Sequence, residues 1–124
     1  MIETVRVSEK AKIQLITLKR RTGIQNWNVL CRWALCSSLA EKSEPPKEDI
    51  PSDSSIEMTW KTFTGGEEEL YLALIQLRAT KAGLPLDKES VSKYFRLHLH
   101  RGISYLVGNP KLNKIEDLIR LSMQ

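Results

Sequence analysis

Alternation appears before any motif in this chain. In "IETVRVS" (residues 2–8), Val5 and Val7 share one side with Glu3, while Thr4, Arg6 and Ser8 share the other. A period of two marks a half-buried strand. A strand this short cannot stand alone in water, so the pattern predicts a second strand to pair with it. At Ser8 the period changes. Ser8 is a natural N-cap, its hydroxyl placed to accept an otherwise unpaired backbone N–H. Ala11, Leu15 and Leu18 then recur at i, i+4 and i+7, which predicts a helix over 9–22, ended by Gly23.

The next helix, predicted over 26–42, has no such stripe. From Asn26 to Ala40 its only charged residue is Arg32, and Trp27, Leu30, Trp33, Ala34, Leu35 and Leu39 spread around most of the circumference. A helix apolar nearly all round is buried on nearly all sides. Either the C-terminal helices of the same chain cover it, or a second copy does. With few other elements in so short a chain, the second reading is preferred, and it makes Trp27, Leu30, Trp33, Leu35 and Leu39 an oligomer interface.

Further along, "SEPPKEDIPSDSS" (43–55) reads as a linker from its prolines and small polar residues. In "IEMTWKTF" (56–63), Ile56, Met58 and Trp60 alternate with polar positions, as a short strand or as an extended segment pinned by Trp60. Gly65 and Gly66 turn the chain into a helix over 67–82, whose acidic start, Glu67, Glu68 and Glu69, complements the helix dipole. Gly83 ends it. Asp87 caps a longer helix reaching Val107, and Asn113 with Glu116 forms an Asn version of the capping box for a last short helix. These elements predict one mainly α-helical domain over 1–124: a strand and two helices in 1–43, an acidic linker in 44–66, and C-terminal helices in 67–124.

Charge sharpens this picture. The chain of 124 residues carries a net +4, and that charge is unevenly placed. Residues 1–43 hold eight Lys or Arg against three acids, 44–69 hold eight acids against two lysines, and 70–124 hold nine basic residues against four acids. Two basic segments flank an acidic one, so the folded chain can show a basic face. Cys31 and Cys36 lie in the apolar helix, in a chain with no signal-like start and no apolar run of membrane-spanning length. This predicts inert packing in a reducing, cytoplasmic setting, with no disulfide and no metal site.

Chemistry is sparse. No nucleophile signature, P-loop or dinucleotide fingerprint is present. His98 and His100 stand at i, i+2 and point to different sides of a helix, so they cannot share one metal. His98 falls on the apolar stripe and reads as a hydrogen-bonded core histidine. His100 falls with Lys93 and Arg96 on a stripe expected to be a solvated cationic face able to touch phosphate. Gly102, in mid-helix, costs about 1 kcal/mol against alanine, which points to close approach by another backbone or a ligand. No catalytic residue and no cofactor is expected, and a binding module is the leading class.

The most suggestive cations are Lys19, Arg20 and Arg21, at the end of the first helix. Cations there complement the helix dipole, but one or two would suffice. Lys10 and Lys12 sit in the first two turns, where the dipole disfavours them, so they call for another reason, and phosphates are one. Arg6 is the one long side chain on the outer face of the strand, too few for direct base readout. The expected DNA-binding set is therefore Arg6, Lys10, Lys12, Lys19, Arg20, Arg21, Lys93 and Arg96, acting mostly on the backbone.

Two resemblances bear on these residues. "TVRVS" followed by two helices resembles the ribbon-helix-helix arrangement of small DNA-binding dimers, in which strands of two subunits pair. The block "LHLHRGISYLVGNPKLNKIEDLI" (97–119), with "HRGISYL" as its most specific part, is similar to the DndE family of the bacterial DNA phosphorothioation system, a likeness that spans essentially the whole chain. That resemblance implies a small non-catalytic component of a machine that replaces a non-bridging phosphate oxygen by sulfur. It also implies a ribbon-helix-helix-like core, assembly as a homotetramer, binding of duplex DNA, nicked or intact, and contact with other phosphorothioation proteins. The competing readings are a structural adaptor that docks partner proteins through its acidic segment, and an antitoxin-like transcription regulator.

Overall fold

The computed structural model describes residues 1–109 and 115–122. Along the chain, β1 (Thr4–Arg6) leads into α1 (Glu9–Thr22) and α2 (Trp27–Ala40). After an irregular stretch come β2 (Glu57–Thr59), α3 (Trp60–Thr64), α4 (Glu68–Lys81), α5 (Lys88–Gly108) and α6 (Ile115–Ser122). The fold is mainly α, as the periodicity predicts. Asn113, the expected cap of the last helix, lies outside the described residues.

Local signals set the boundaries. The Ser8 hydroxyl accepts the Ala11 N–H, and Gly23, at φ 75°, closes α1 by donating its N–H to the Lys19 carbonyl. Asp87 likewise accepts the Ser90 N–H at the start of α5. β1 finds its partner within the chain: it pairs antiparallel with β2, Val5 opposite Met58 and Arg6 opposite Glu57. This differs from the ribbon of two subunits that the ribbon-helix-helix likeness implies. The alternating segment after the linker supplies the second strand, and just past its end the Trp60 N–H donates to the Glu3 carbonyl at 2.8 Å.

α5 is the spine, packing against both α2 and α1. Gly102 shows how close the α2 contact is, because a Cβ there would overlap the carbonyl oxygen of Ala34. The close approach inferred from a mid-helix glycine is thus α2's own backbone. Leu30, Cys31, Ala34 and Leu35 are fully buried by this packing, so the chain itself covers most of the helix that looked too apolar to cover. Of the five residues expected at an oligomer interface, Trp27, Trp33 and Leu39, half-buried, keep surface to offer a second copy. An aromatic cluster locks α3 to α5, with Phe63 and Phe95 ring centres 5.2 Å apart and Trp60 5.3 Å from each.

Candidate nucleic-acid interface

The fold sorts the predicted cations into free and engaged. Consecutive residues on a helix point about 100° apart, so Lys19, Arg20 and Arg21 cannot form one patch. Arg21 turns inward and donates to the Val107 carbonyl at 2.8 Å, fastening the end of α1 to the end of α5. Lys19 rests its ammonium over the Trp27 ring, 4.7 Å from the centroid, half-buried but still facing outward. Arg20 is exposed and, among the described residues, has no partner. Near the other end of α1, Lys10 is exposed and equally without a partner, while Lys12 donates only to the Ser55 hydroxyl at 2.8 Å. Lys12 and Lys19, seven residues apart, share one flank of α1; Arg20 lies beside that flank, and Lys10 lies on the opposite one.

The other predicted positions fare differently. Arg6 is exposed but ion-paired with Glu57 across the sheet at 2.7 Å. Lys93 pairs with Glu89 one turn back at 3.3 Å, both side chains largely exposed. Arg96 is half-buried, its guanidinium donating to the carbonyls of Arg6, Ile50 and Pro51 at 2.7–3.2 Å. Burial lowers its pKa from the ordinary arginine value.

His100 corrects the expected cationic stripe. It is buried, only 8% exposed, beneath the stretch that runs over Ile50 and Pro51. Its Nδ1–H donates to the Arg96 carbonyl at 2.8 Å, and its Nε2 accepts the Ser8 N–H at 3.1 Å. Those two bonds require a neutral ring. Burial, with the nearby Arg96 charge, pulls the pKa down to about 4. Of the Lys93, Arg96, His100 face, only Lys93 is therefore solvated. A helical wheel carries no information on the distant segment that crosses it.

His98 is the core histidine its position predicts. It is 1% exposed, with Nδ1 2.8 Å from the Ser38 hydroxyl and its ring edge-on to Tyr94. Burial first, then the charges of Arg101 and Arg78, lower its pKa to about 4. Burial likewise pushes the Cys31 thiol up to about 12, in keeping with inert packing. Cys36, by contrast, is exposed.

Two arginines missed in the sequence do the most structural work. Arg78 donates to the carbonyls of Leu39, Glu41, Lys42 and Ser43 and to the Glu44 carboxylate. Arg101 holds the Ser38 hydroxyl and carbonyl and the Ser43 carbonyl. Together with Arg96 they fasten the proline-rich stretch along the helices. Ser54 adds a bond to the Val7 carbonyl, and Asp53 accepts the Glu9 N–H. What composition marks as a linker is a fastened strap. Its arginine contacts lie 34–63 residues apart in the chain, and no local signal announces them.

Among the described residues, no group of three or more His, Cys, Asp or Glu is placed to hold a metal ion, and no helix is long and apolar enough to cross a membrane.

Comparison with known proteins bears on this arrangement. The family model described as DNA sulphur modification protein DndE matches residues 4–114. A crystal structure of DndE from Escherichia coli B7A, involved in DNA phosphorothioation modification, superposes with a TM-score of 0.72 at 20% identity, covering 86% of this chain and 98% of that one. A glycine-to-lysine mutant of DndE, involved in DNA phosphorothioation, gives 0.68 at 17% identity, covering 88% and 100%. At these identities the two structures establish a shared fold. No curated protein matches the chain.

Proposed function

We propose that this chain, which belongs to the DndE family of DNA sulphur modification proteins, is a non-catalytic component of phosphorothioation that holds duplex DNA by its backbone. The observation that carries the reading is the division of cations: the chain's own fold engages Arg21, Arg78, Arg96 and Arg101, while Lys10 and Arg20 on α1 stay exposed without partners among the described residues. Lys12 and Lys19 complete the set. Ammonium and guanidinium groups spread along one helix suit phosphates, which neutralise them without regard to sequence. Arg6, tied to Glu57, offers little base readout. The buried, neutral His98 and His100 and the high-pKa Cys31 leave these groups poorly suited to acid–base or thiolate chemistry.

On the same reading the chain works as a homo-oligomer, a tetramer by family likeness, alongside other phosphorothioation proteins. Nicked duplex is the preferred form. A nick relieves stacking continuity, so the DNA can follow a basic surface without the roughly 1–6 kcal/mol of smoothly bending an intact site. Fluorescence anisotropy with nicked, intact and single-stranded DNA of one sequence tests this. Tightest binding to the nicked duplex, with little change between sequences, is expected. Equal affinity for nicked and intact duplex would remove the nick preference, and strong dependence on base sequence would favour a transcription regulator.

A further inference from the structure

α4 is apolar on two opposite faces, and the chain covers only one of them. Ile75 and Ala79 turn inward, 1% and 0% exposed, while Leu70, Leu74 and Leu77 stand outward at 54%, 39% and 57%. The outward positions follow a heptad. Glu67, Leu74 and Lys81 recur every seven residues on one line, and Leu70 and Leu77 recur every seven beside it, the seam by which one helix packs on another. Glu67 and Lys81, at the two ends of the line, are exposed and form no ion pair among the described residues. They lie about 21 Å apart along the axis at 1.5 Å per residue.

We propose that this seam pairs antiparallel with the same seam of a second copy, about a two-fold axis passing beside Leu74. The register is self-complementary. Leu74 meets Leu74 of the other copy, Leu70 meets Leu77, and Glu67 at one end faces Lys81 at the other, so every group on the strip finds an opposite that suits it. Parallel pairing would set Glu67, Glu68 and Glu69 of one copy against the same three of the other, a repulsive arrangement. Ala73, small and exposed beside the seam, lets the two helices approach closely. The inference rests on the homo-oligomer reading above and locates one of its contacts. It adds α4 to the surface that Trp27, Trp33 and Leu39 of α2 keep.

The test uses the full chain in a Cys36→Ser background, since Cys31 is buried. Leu74→Cys should give a covalent dimer on oxidation with diamide. Leu70→Cys should not, but Leu70→Cys combined with Leu77→Cys should. Leu74→Glu should lower the mass seen by light scattering and leave the helical circular-dichroism spectrum in place, because within a single chain this side chain is 39% exposed and supports little of the core. Glu67→Lys should weaken the pair, and adding Lys81→Glu should restore it. If the wild type is an oligomer but Leu74→Cys fails to cross-link and Leu74→Glu keeps the wild-type mass, the α4 pairing is wrong and the oligomer stands. If the wild type is monomeric at tens of micromolar, both readings fall and the strip belongs to a different protein.

Discussion

On α1, Lys10 and Arg20 are exposed and hold nothing among the described residues; on α5, Arg96 and Arg101 each grip two or more backbone carbonyls or hydroxyls of another segment. Along the sequence the two sets look alike, each a spaced run of basic residues on a helix. The difference is in what lies across them. The last turn of α2 and the strap that runs on to Ser55 lie across α5 and present carbonyls to the arginines, which have the planar fork of donors suited to that task. The strap reaches α1 only at that helix's start, through Asp53 and Ser55. Cations on a helix are therefore free to meet a partner only where no other part of the chain has already supplied their acceptors.

The comparison can be strained from the α5 side first, where the largest effects are expected. His98 and His100 are held near pKa 4 against 6.5 for a free side chain. The unfolded chain thus binds protons before the folded one does. Stability should be full above about pH 7, fall as pH drops from 6.5 towards 4, and level off for these groups below that. The loss is on the order of 2–3 kcal/mol for each histidine, from 1.36 kcal/mol per pH unit. Urea unfolding at pH 7, 5.5 and 4 measures it, and a flat profile would mean that the fold holds neither ring neutral.

Arg101→Met keeps the stem but removes the donors to Ser38 and Ser43. With the buried Ser38 hydroxyl and carbonyl left without this donor, we expect a loss of about 3 kcal/mol, read as a lower urea midpoint at unchanged slope. DNA affinity per folded molecule should not move. A DNA defect without a stability defect would place Arg101 in the binding surface and blur the division between the two helices.

Much of this was legible in the sequence, because it is local. The cap at Ser8, the stop at Gly23, the cap at Asp87 and the tight crossing at Gly102 each depend on residues within one turn or on the size of one side chain. The family likeness was legible too, in the "HRGISYL" block. Pairings across long stretches of chain were not. Nothing near Val5 says that Met58 will face it, nor does anything near Arg78 name the carbonyls of 39–43. A helical wheel likewise shows that α2 needs cover without showing that α5 provides it. It hides the α4 strip, whose two apolar faces cancel into an apparently patternless helix.

The smallest expected effect belongs to Arg6. Its ion pair with Glu57 is exposed on both sides, and such pairs contribute about 0–1 kcal/mol. Arg6→Gln should change stability within that range and DNA affinity less than any α1 substitution. A large, sequence-dependent loss of binding would instead show Arg6 reading bases.

The most direct measurement is the salt dependence of DNA binding for the wild type against a variant with Lys10, Lys12, Lys19 and Arg20 all changed to glutamine. These four side chains hold little of the fold together, so the variant should melt close to the wild type. Its affinity should fall for every sequence alike, and the slope of log K against log salt should flatten by about 0.9 for each phosphate no longer neutralised. If the variant binds with wild-type affinity and wild-type slope, α1 is not the DNA surface and the account of this chain as a backbone-gripping module is wrong.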